Sequence, residues 1–385
     1  MTNLKKPVPA SKAKPEQSSS NGKQTGSARE KLDTIQAVRA LAAICVLLFH
    51  GTEIVRRELG LTLAGGGFNA GFAGVDIFFV LSGFIILHTA KQRMGSGYFL
   101  AFRAIRIYPV YWIVTVLLVV AYLASPSPAQ GHKGDPAVIT GSLLLLPQPK
   151  YVVGVAWTLF YEMLFYTLVA LTYFRRPAYL DYAFCAWAAT IGAVHVVGYK
   201  SESFAVNAIL EPIVLEFYFG CLVARFYRQH GTVATWPVLL AIGTMSFAGS
   251  WALYLHASPD LALLMSGALR SFFFGVPATL ILLGLLYYKG RVPRLLVALG
   301  DGTYSIYLLH GTLIVVLLKV ALVIGLPAAI GGTLTCASVL SGALIAGWVF
   351  YRLVERPVIG VCKSRLDGLF RGLKASSTAV QTTKP

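Results

Sequence analysis

Along this chain, long apolar runs alternate with short polar connectors, and the runs are too long and too uniformly apolar for the amphipathic stripes of a soluble helical core. A helix crossing the hydrocarbon of a bilayer needs about 20 mostly apolar residues. Windows of that kind recur at 35–55, 71–90, 107–124, 152–174, 179–197, 205–224, 236–256, 261–287, 303–325 and 331–351. The pattern predicts an all-α polytopic membrane protein with about ten transmembrane helices. The longest polar connection, 125–151, is interrupted by Pro126, Pro128, Pro136, Pro147 and Pro149, so no single helix runs through it. Its apolar piece, Leu143 to Leu146, is expected to dip back toward the membrane.

Composition agrees with this layout. Of 385 residues, 56% are hydrophobic and 13% charged, and the formal net charge is +17. The basic residues lie between apolar runs rather than on one continuous face, so they report membrane orientation and not a nucleic-acid partner. With the N-terminus in the cytoplasm, the inner connectors hold most of them, among them Arg103, Arg106, Arg175, Arg176, Arg225 and Arg228. Outer exceptions are Arg56, Arg57, Lys133, Lys150 and Lys200. Both termini are therefore expected in the cytoplasm. Residues 1–31, polar and poor in aromatics, read as a disordered basic cytoplasmic tail, 32–360 as the membrane domain and 361–385 as a cytoplasmic C-terminal tail. The five cysteines are scattered singly, with no CxxC pair and no histidine at ligand spacing, so neither a metal site nor a disulfide framework is expected.

Ionisable groups inside a span cost about 2.5–3.5 kcal/mol on insertion scales, so each needs a partner or a function. Arg39 and His50 are eleven residues apart in the first window. At the helical repeat they point within about 20° of one another and are separated by about 16 Å along the axis. A guanidinium near the inner mouth suits phosphate or carboxylate capture, and an imidazole deeper in the membrane suits proton transfer. The alternatives are an arginine that snorkels to headgroups and a histidine bonded to a neighbouring carbonyl.

Asp76, at the outer end of the second window, is at a depth comparable to His50, so a His–carboxylate pair or a simple helix cap both fit it. Thr158, Glu162 and Tyr166 form a polar stripe in the fourth window, with Glu162 near mid-membrane. His310 lies about two turns into the ninth window, where it can face a ligand or bond a hydroxyl. Arg103 and Arg106, at i and i+3 beside Pro109, read as topology signals or as a clamp for an anion.

In order along the chain stand Arg39 followed after ten residues by His50, GVDIFFVLSGF at Gly74–Phe84, FRAIRIYPVYW at Phe102–Trp112, WTLFYEMLFY at Trp157–Tyr166, GTYSIYLLH at Gly302–His310, and Glu355-Arg356-Pro357. This series resembles the integral-membrane acyltransferase family 3, over roughly residues 32–360. The resemblance implies transfer of an acyl group, most often acetyl from acetyl-CoA, to a hydroxyl of a cell-surface or exported glycan. It also implies an inner-membrane, multi-pass location.

In the mechanism expected from residues and family together, acyl-CoA is a co-substrate and no cofactor is bound. Arg39, Arg103 and Arg106, joined by Tyr307 and His310, bind the donor. His50 deprotonates the acceptor, with Asp76 or Glu162 orienting its imidazole. A covalent acyl-histidine is the other route. A proton-coupled transporter or glycan exporter would also place Arg, His and acidic groups in its helices, and is the competing class.

Overall fold

The computed structural model of the chain describes residues 19–92, 95–126 and 128–382, with side chains described over 33–92, 95–126 and 130–371. Every regular element among the described residues is helical. The first half holds α1 (Ser19–Leu59), α2 (Gly74–Thr89), α3 (Ser96–Ala124), the short α4 (Pro136–Leu143), α5 (Trp157–Leu171), α6 (Pro177–Val197), the short α7 (Phe204–Ile209) and α8 (Leu215–Gln229). The second half holds α9 (Trp236–His256), α10 (Pro259–Ser266), α11 (Val276–Leu286), α12 (Arg294–Asp301), α13 (Thr303–Val323), the short α14 (Leu326–Ile330), α15 (Gly332–Phe350) and α16 (Arg356–Thr382).

Eight of these, with the short turns that extend them, are long and apolar enough to cross a membrane, and a bent pair, Pro259–Ser266 with Ser271–Leu286, makes a ninth. The one predicted window left over, 205–224, is divided. Pro212 stops the chain after α7, and α8 resumes with only 15 residues, which include the ionisable Glu216, Arg225 and Arg228. Within α1 the apolar span begins at Asp33. Residues 1–18 and 383–385, which belong to the two expected tails, lie outside the described residues.

Glycines set how closely the central helices approach. Gly83, seven residues after Asp76 in α2, meets Gly220 of α8 across a backbone contact. A Cβ on Gly83 would lie 1.9 Å from the Phe217 carbonyl oxygen, and one on Gly220 would lie 2.0 Å from that of Val80. Only glycine permits two helix backbones to touch in this way. The close approach lets Phe217 stack between Phe79, at 4.4 Å, and Phe165, at 4.7 Å. On the other side of α1, Ala43 and Leu47 pack with Ile306 and Ile314 of α13 and Val339 and Ala343 of α15. Helix α1 thus lies between two packed halves, and what it carries faces both.

The proline-rich connection after α3 is ordered by hydrogen bonds. Tyr111 and Trp112 of α3 donate to the carbonyls of Ser142 and Leu143, each at 2.9 Å. The Ser142 hydroxyl accepts from Gln148 Nε2 and from the Val152 backbone N–H, both at 3.0 Å. The apolar piece is held against α3, with Leu145 buried and its neighbours Leu144 and Leu146 exposed.

Candidate active site

Three of the predicted arginines meet in one cavity. Arg39 from α1 and Arg103 and Arg106 from α3 line an opening of about 100 Å³, with Ser82, Thr158, Glu162, Tyr166 and Tyr307 among its other walls. Helix α3 starts at Ser96, well before the predicted 107, so both of its arginines sit within a helix and not at its edge. Arg103 is 7% exposed. Its guanidinium packs over Phe99, Phe102 and Tyr166 at 5.5–5.7 Å and donates to Thr89 Oγ1 at 3.0 Å, while its Nε has no partner among the described residues. Arg39 donates to Gln36 Oε1 at 2.9 Å. Neither Arg39, Arg103 nor Arg106 forms an ion pair among the described residues.

Glu162 is the single carboxylate on the cavity wall, and it accepts hydrogen bonds from Ser82 Oγ at 3.0 Å and Tyr166 Oη at 2.5 Å. Three cations against one hydroxyl-bonded acid leave this chamber positively charged, the condition for holding an anionic ligand.

His50 is not on that chamber's wall; its ring faces His310 of α13, with His50 Nδ1 and His310 Nε2 3.2 Å apart. The proton positions follow from the neighbours. His310 Nδ1 is 2.6 Å from the Tyr307 carbonyl, which only accepts, so this nitrogen bears the hydrogen and Nε2 offers its lone pair. His50 Nδ1 is 3.1 Å from the Val46 carbonyl, so it too bears a hydrogen, shared between that carbonyl and His310. His50 Nε2 is then left as an unprotonated, basic nitrogen. His310 is 1% exposed, whereas His50 is half-buried.

Tyr307 connects the two centres. Its ring lines the arginine chamber, its hydroxyl is 3.2 Å from Thr158 Oγ1, and its carbonyl fixes His310. Phe78 packs against the Tyr307 ring at 5.7 Å and lines the same chamber.

The two acids expected beside His50 are engaged elsewhere. Glu162 has the hydroxyl partners given above. Asp76, fully buried, accepts a bidentate pair from Arg270, with Nε to Oδ1 at 2.9 Å and Nη2 to Oδ2 at 2.8 Å. Arg270 also donates to the Phe72 carbonyl at 3.3 Å and packs over the Phe72 ring at 5.0 Å. Against the sequence-based expectation, the partner of His50 is thus His310, which was placed with the donor. Residue spacing gives angles within one helix and says nothing of which helices become neighbours, so it had no means of choosing this pair.

Other polar residues escaped the sequence reading although they sat in predicted windows. Arg270 lies in 261–287 and Glu216 in 205–224, and the same criterion of an ionisable group inside a span selects both. Glu216 is fully buried beside Gly275, with neither carboxylate oxygen hydrogen-bonded among the described residues. Glu355, quoted only as part of a motif, closes a π-helical turn and accepts from the Ser305 hydroxyl at 2.5 Å and its backbone N–H at 3.1 Å.

A bundle of eight or nine helices long and apolar enough to cross a membrane makes the chain a multi-pass membrane protein. Residues 32–352 match the family described as an acyltransferase domain, so the chain belongs to that family and is an acyltransferase. It is 33% identical over 332 residues to the exopolysaccharide production protein ExoZ of Rhizobium meliloti (strain 1021), covering 81% of this chain and 94% of that one. It is 27% identical over 207 residues to the acyltransferase MdmB of Streptomyces mycarofaciens, covering 50% and 52%. Over 114 residues it is 32% identical to the peptidoglycan O-acetyltransferase OatA of Listeria monocytogenes, covering 28% of this chain and 16% of that protein. No solved structure matches the chain.

Proposed function

We propose that this acyltransferase lies in the inner membrane and moves a small acyl group, acetyl in the first instance, from acyl-CoA to a hydroxyl of a cell-surface or exported glycan. The observation that carries this reading is that α1 supplies both an arginine of the cationic chamber and the imidazole with a free basic nitrogen. The glycan acceptor is supported by likeness to an exopolysaccharide production protein and to a peptidoglycan O-acetyltransferase. In this reading the phosphates of CoA rest against Arg39, Arg103 and Arg106, and the pantetheine arm runs along α1 toward His50. The Phe78 and Tyr307 rings stand on that route, so the arm passes by turning them aside.

At the reacting centre, His50 Nε2 takes the proton of the acceptor hydroxyl as its oxygen attacks the thioester carbon. The C–S bond then breaks, and the departing CoA thiolate recovers that proton from the imidazolium. His310, accepting from Nδ1–H, orients the ring and disperses its charge, the part a third residue plays in hydrolytic triads.

The test is the full-length chain in lipid nanodiscs with radiolabelled acetyl-CoA and a membrane glycan fraction. Label should appear on the glycan as an alkali-labile ester, and His50→Ala should abolish it. Glycan flux into sealed vesicles without acyl-CoA, together with no label on the glycan, would establish the transporter in its place.

A further inference from the structure

Two outer lysines, Lys133 and Lys150, run against the positive-inside pattern and have no part in the arginine chamber. Of the other outer cations, Arg56 and Arg57 pair with Glu53 and Glu58 on α1, and Lys200 lines neither cavity. Lys150 has no acidic partner among the described residues and stands on the rim of a second cavity of about 470 Å³. That cavity lies between the ordered connection after α3, the start of α5, and α7. Trp157, Phe160 and Tyr161 form its α5 wall, Tyr151 and Phe204 add two more rings, and Gln148 and His132 bring polar atoms.

Two donors there are unused. The indole N–H groups of Trp112, Trp187, Trp251 and Trp348 each donate to a carbonyl, whereas those of Trp157 and Trp236 have no acceptor among the described residues, and only Trp157 lines this cavity. Tyr161 is 6% exposed, and its hydroxyl, without a hydrogen-bond partner among the described residues, opens onto the cavity. The hydroxyl and the half-buried indole N–H are therefore free to donate to a ligand that enters the cavity. Aromatic faces beside aligned polar donors are the recognition chemistry of a sugar ring, whose C–H face is apolar and whose rim is hydroxylated.

Helix α5 also sets the distance to the chemistry. Trp157, Phe160 and Tyr161 face this cavity, while Thr158, Leu159 and Glu162, interleaved with them on the same helix, face the arginine chamber. Thr158 reaches Tyr307, whose carbonyl holds the His310–His50 pair.

Resting on the acyl-transfer reading above, we propose that this cavity is the acceptor subsite, and that the glycan it holds carries a carboxylate-bearing sugar paired with Lys150. One cation favours a singly charged carboxylate over a phosphate. His132 adds no second charge, because burial chiefly, and then Lys133 and Lys150, hold its imidazole below its ordinary value.

The test uses the full-length chain in lipid nanodiscs and two probes of equal length: cellotetraose, and its uronate with each primary alcohol oxidised to a carboxylate. The uronate should bind about fivefold more tightly than the neutral probe, the range of an exposed ion pair. Lys150→Gln should erase that preference and Lys150→Arg keep it. Trp157→Ala should weaken both probes about tenfold, as loss of an aromatic anchor does, with Phe204→Ala as a second variant on the opposite wall. Acetyl-CoA binding, measured on every variant, should stay unchanged and reports that each is folded. Equal affinity for the two probes, or uronate binding indifferent to Trp157 and Phe204, overturns the subsite. Competition by inorganic pyrophosphate as strong as that by the uronate overturns the carboxylate assignment. Those results leave acyl transfer standing if acetyl-CoA still binds in an Arg39-dependent way, whereas absence of acetyl-CoA binding by the native chain counts against acyl transfer itself.

Discussion

The Asp76–Arg270 pair and the His50–His310 pair both join distant helices inside the membrane, yet they end in opposite chemical states. In the first, both carboxylate oxygens and two guanidinium nitrogens are engaged, a backbone carbonyl and a ring take up the rest, and Asp76 is sealed from solvent. Opposite charges satisfy one another, and the product is a joint. In the second, two neutral rings share one hydrogen, and the chain of acceptors ends on a nitrogen that still has a lone pair. An intramembrane ionisable group is thus no sign of catalysis until its hydrogen-bonding capacity is counted and some is found unspent.

Each pair should break in its own way, and the largest effect belongs to the base. His50→Ala should lower acyl transfer by about 10²–10⁴-fold, the range for loss of a general base, while thermal unfolding in detergent stays close to that of the native chain. Asp76→Ala should do the reverse. Removing one partner of a buried ion pair costs about 3–5 kcal/mol, so this variant should melt earlier, while whatever folds still binds acyl-CoA. If Asp76→Ala left stability intact and removed only turnover, the joint would belong to the catalytic machinery and the contrast between the two pairs would collapse.

Smaller effects sharpen the picture. Arg39→Ala should raise the KM for acyl-CoA about tenfold or somewhat more, as expected for a charged hydrogen bond, and spare kcat. His310→Ala should cost up to about tenfold in kcat, the value of a neutral hydrogen bond, with His310→Gln recovering part of it by offering an oxygen to His50 Nδ1–H. A merely structural role for His310 would show instead as equal losses in both variants and a lower melting temperature. Phe78→Trp, which adds bulk beside Tyr307, should slow longer acyl donors severalfold while acetyl transfer changes least.

The helical, membrane-spanning character was legible because apolar runs of about 20 residues leave no other economical solution in a bilayer. So was the gathering of Arg39, Arg103 and Arg106, since the sequence reading assigned all three to one ligand. The choice of partners was not. Asp76 and His50 sit at similar depth on consecutive spans, and depth alone made them a natural pair; the pairing that formed depends on Arg270 arriving at a bend between α10 and α11, almost two hundred residues later in the chain. Gly83 is a case between these extremes. Its lack of a side chain announced a close helix contact, but only the three-dimensional packing names Gly220 as the other half.

Because α1 is one unbroken helix from Ser19 to Leu59, the interval from Arg39 to His50 is set by helical rise alone, about 16 Å, and does not adjust to what is bound. A rigid interval of this kind acts as a ruler. If the nucleotide end of the donor rests at one mark and the thioester must arrive at the other, the enzyme selects its donor by tether length before it senses the acyl group, and a thioester on a truncated carrier should be passed over even when its reactive end is chemically the same.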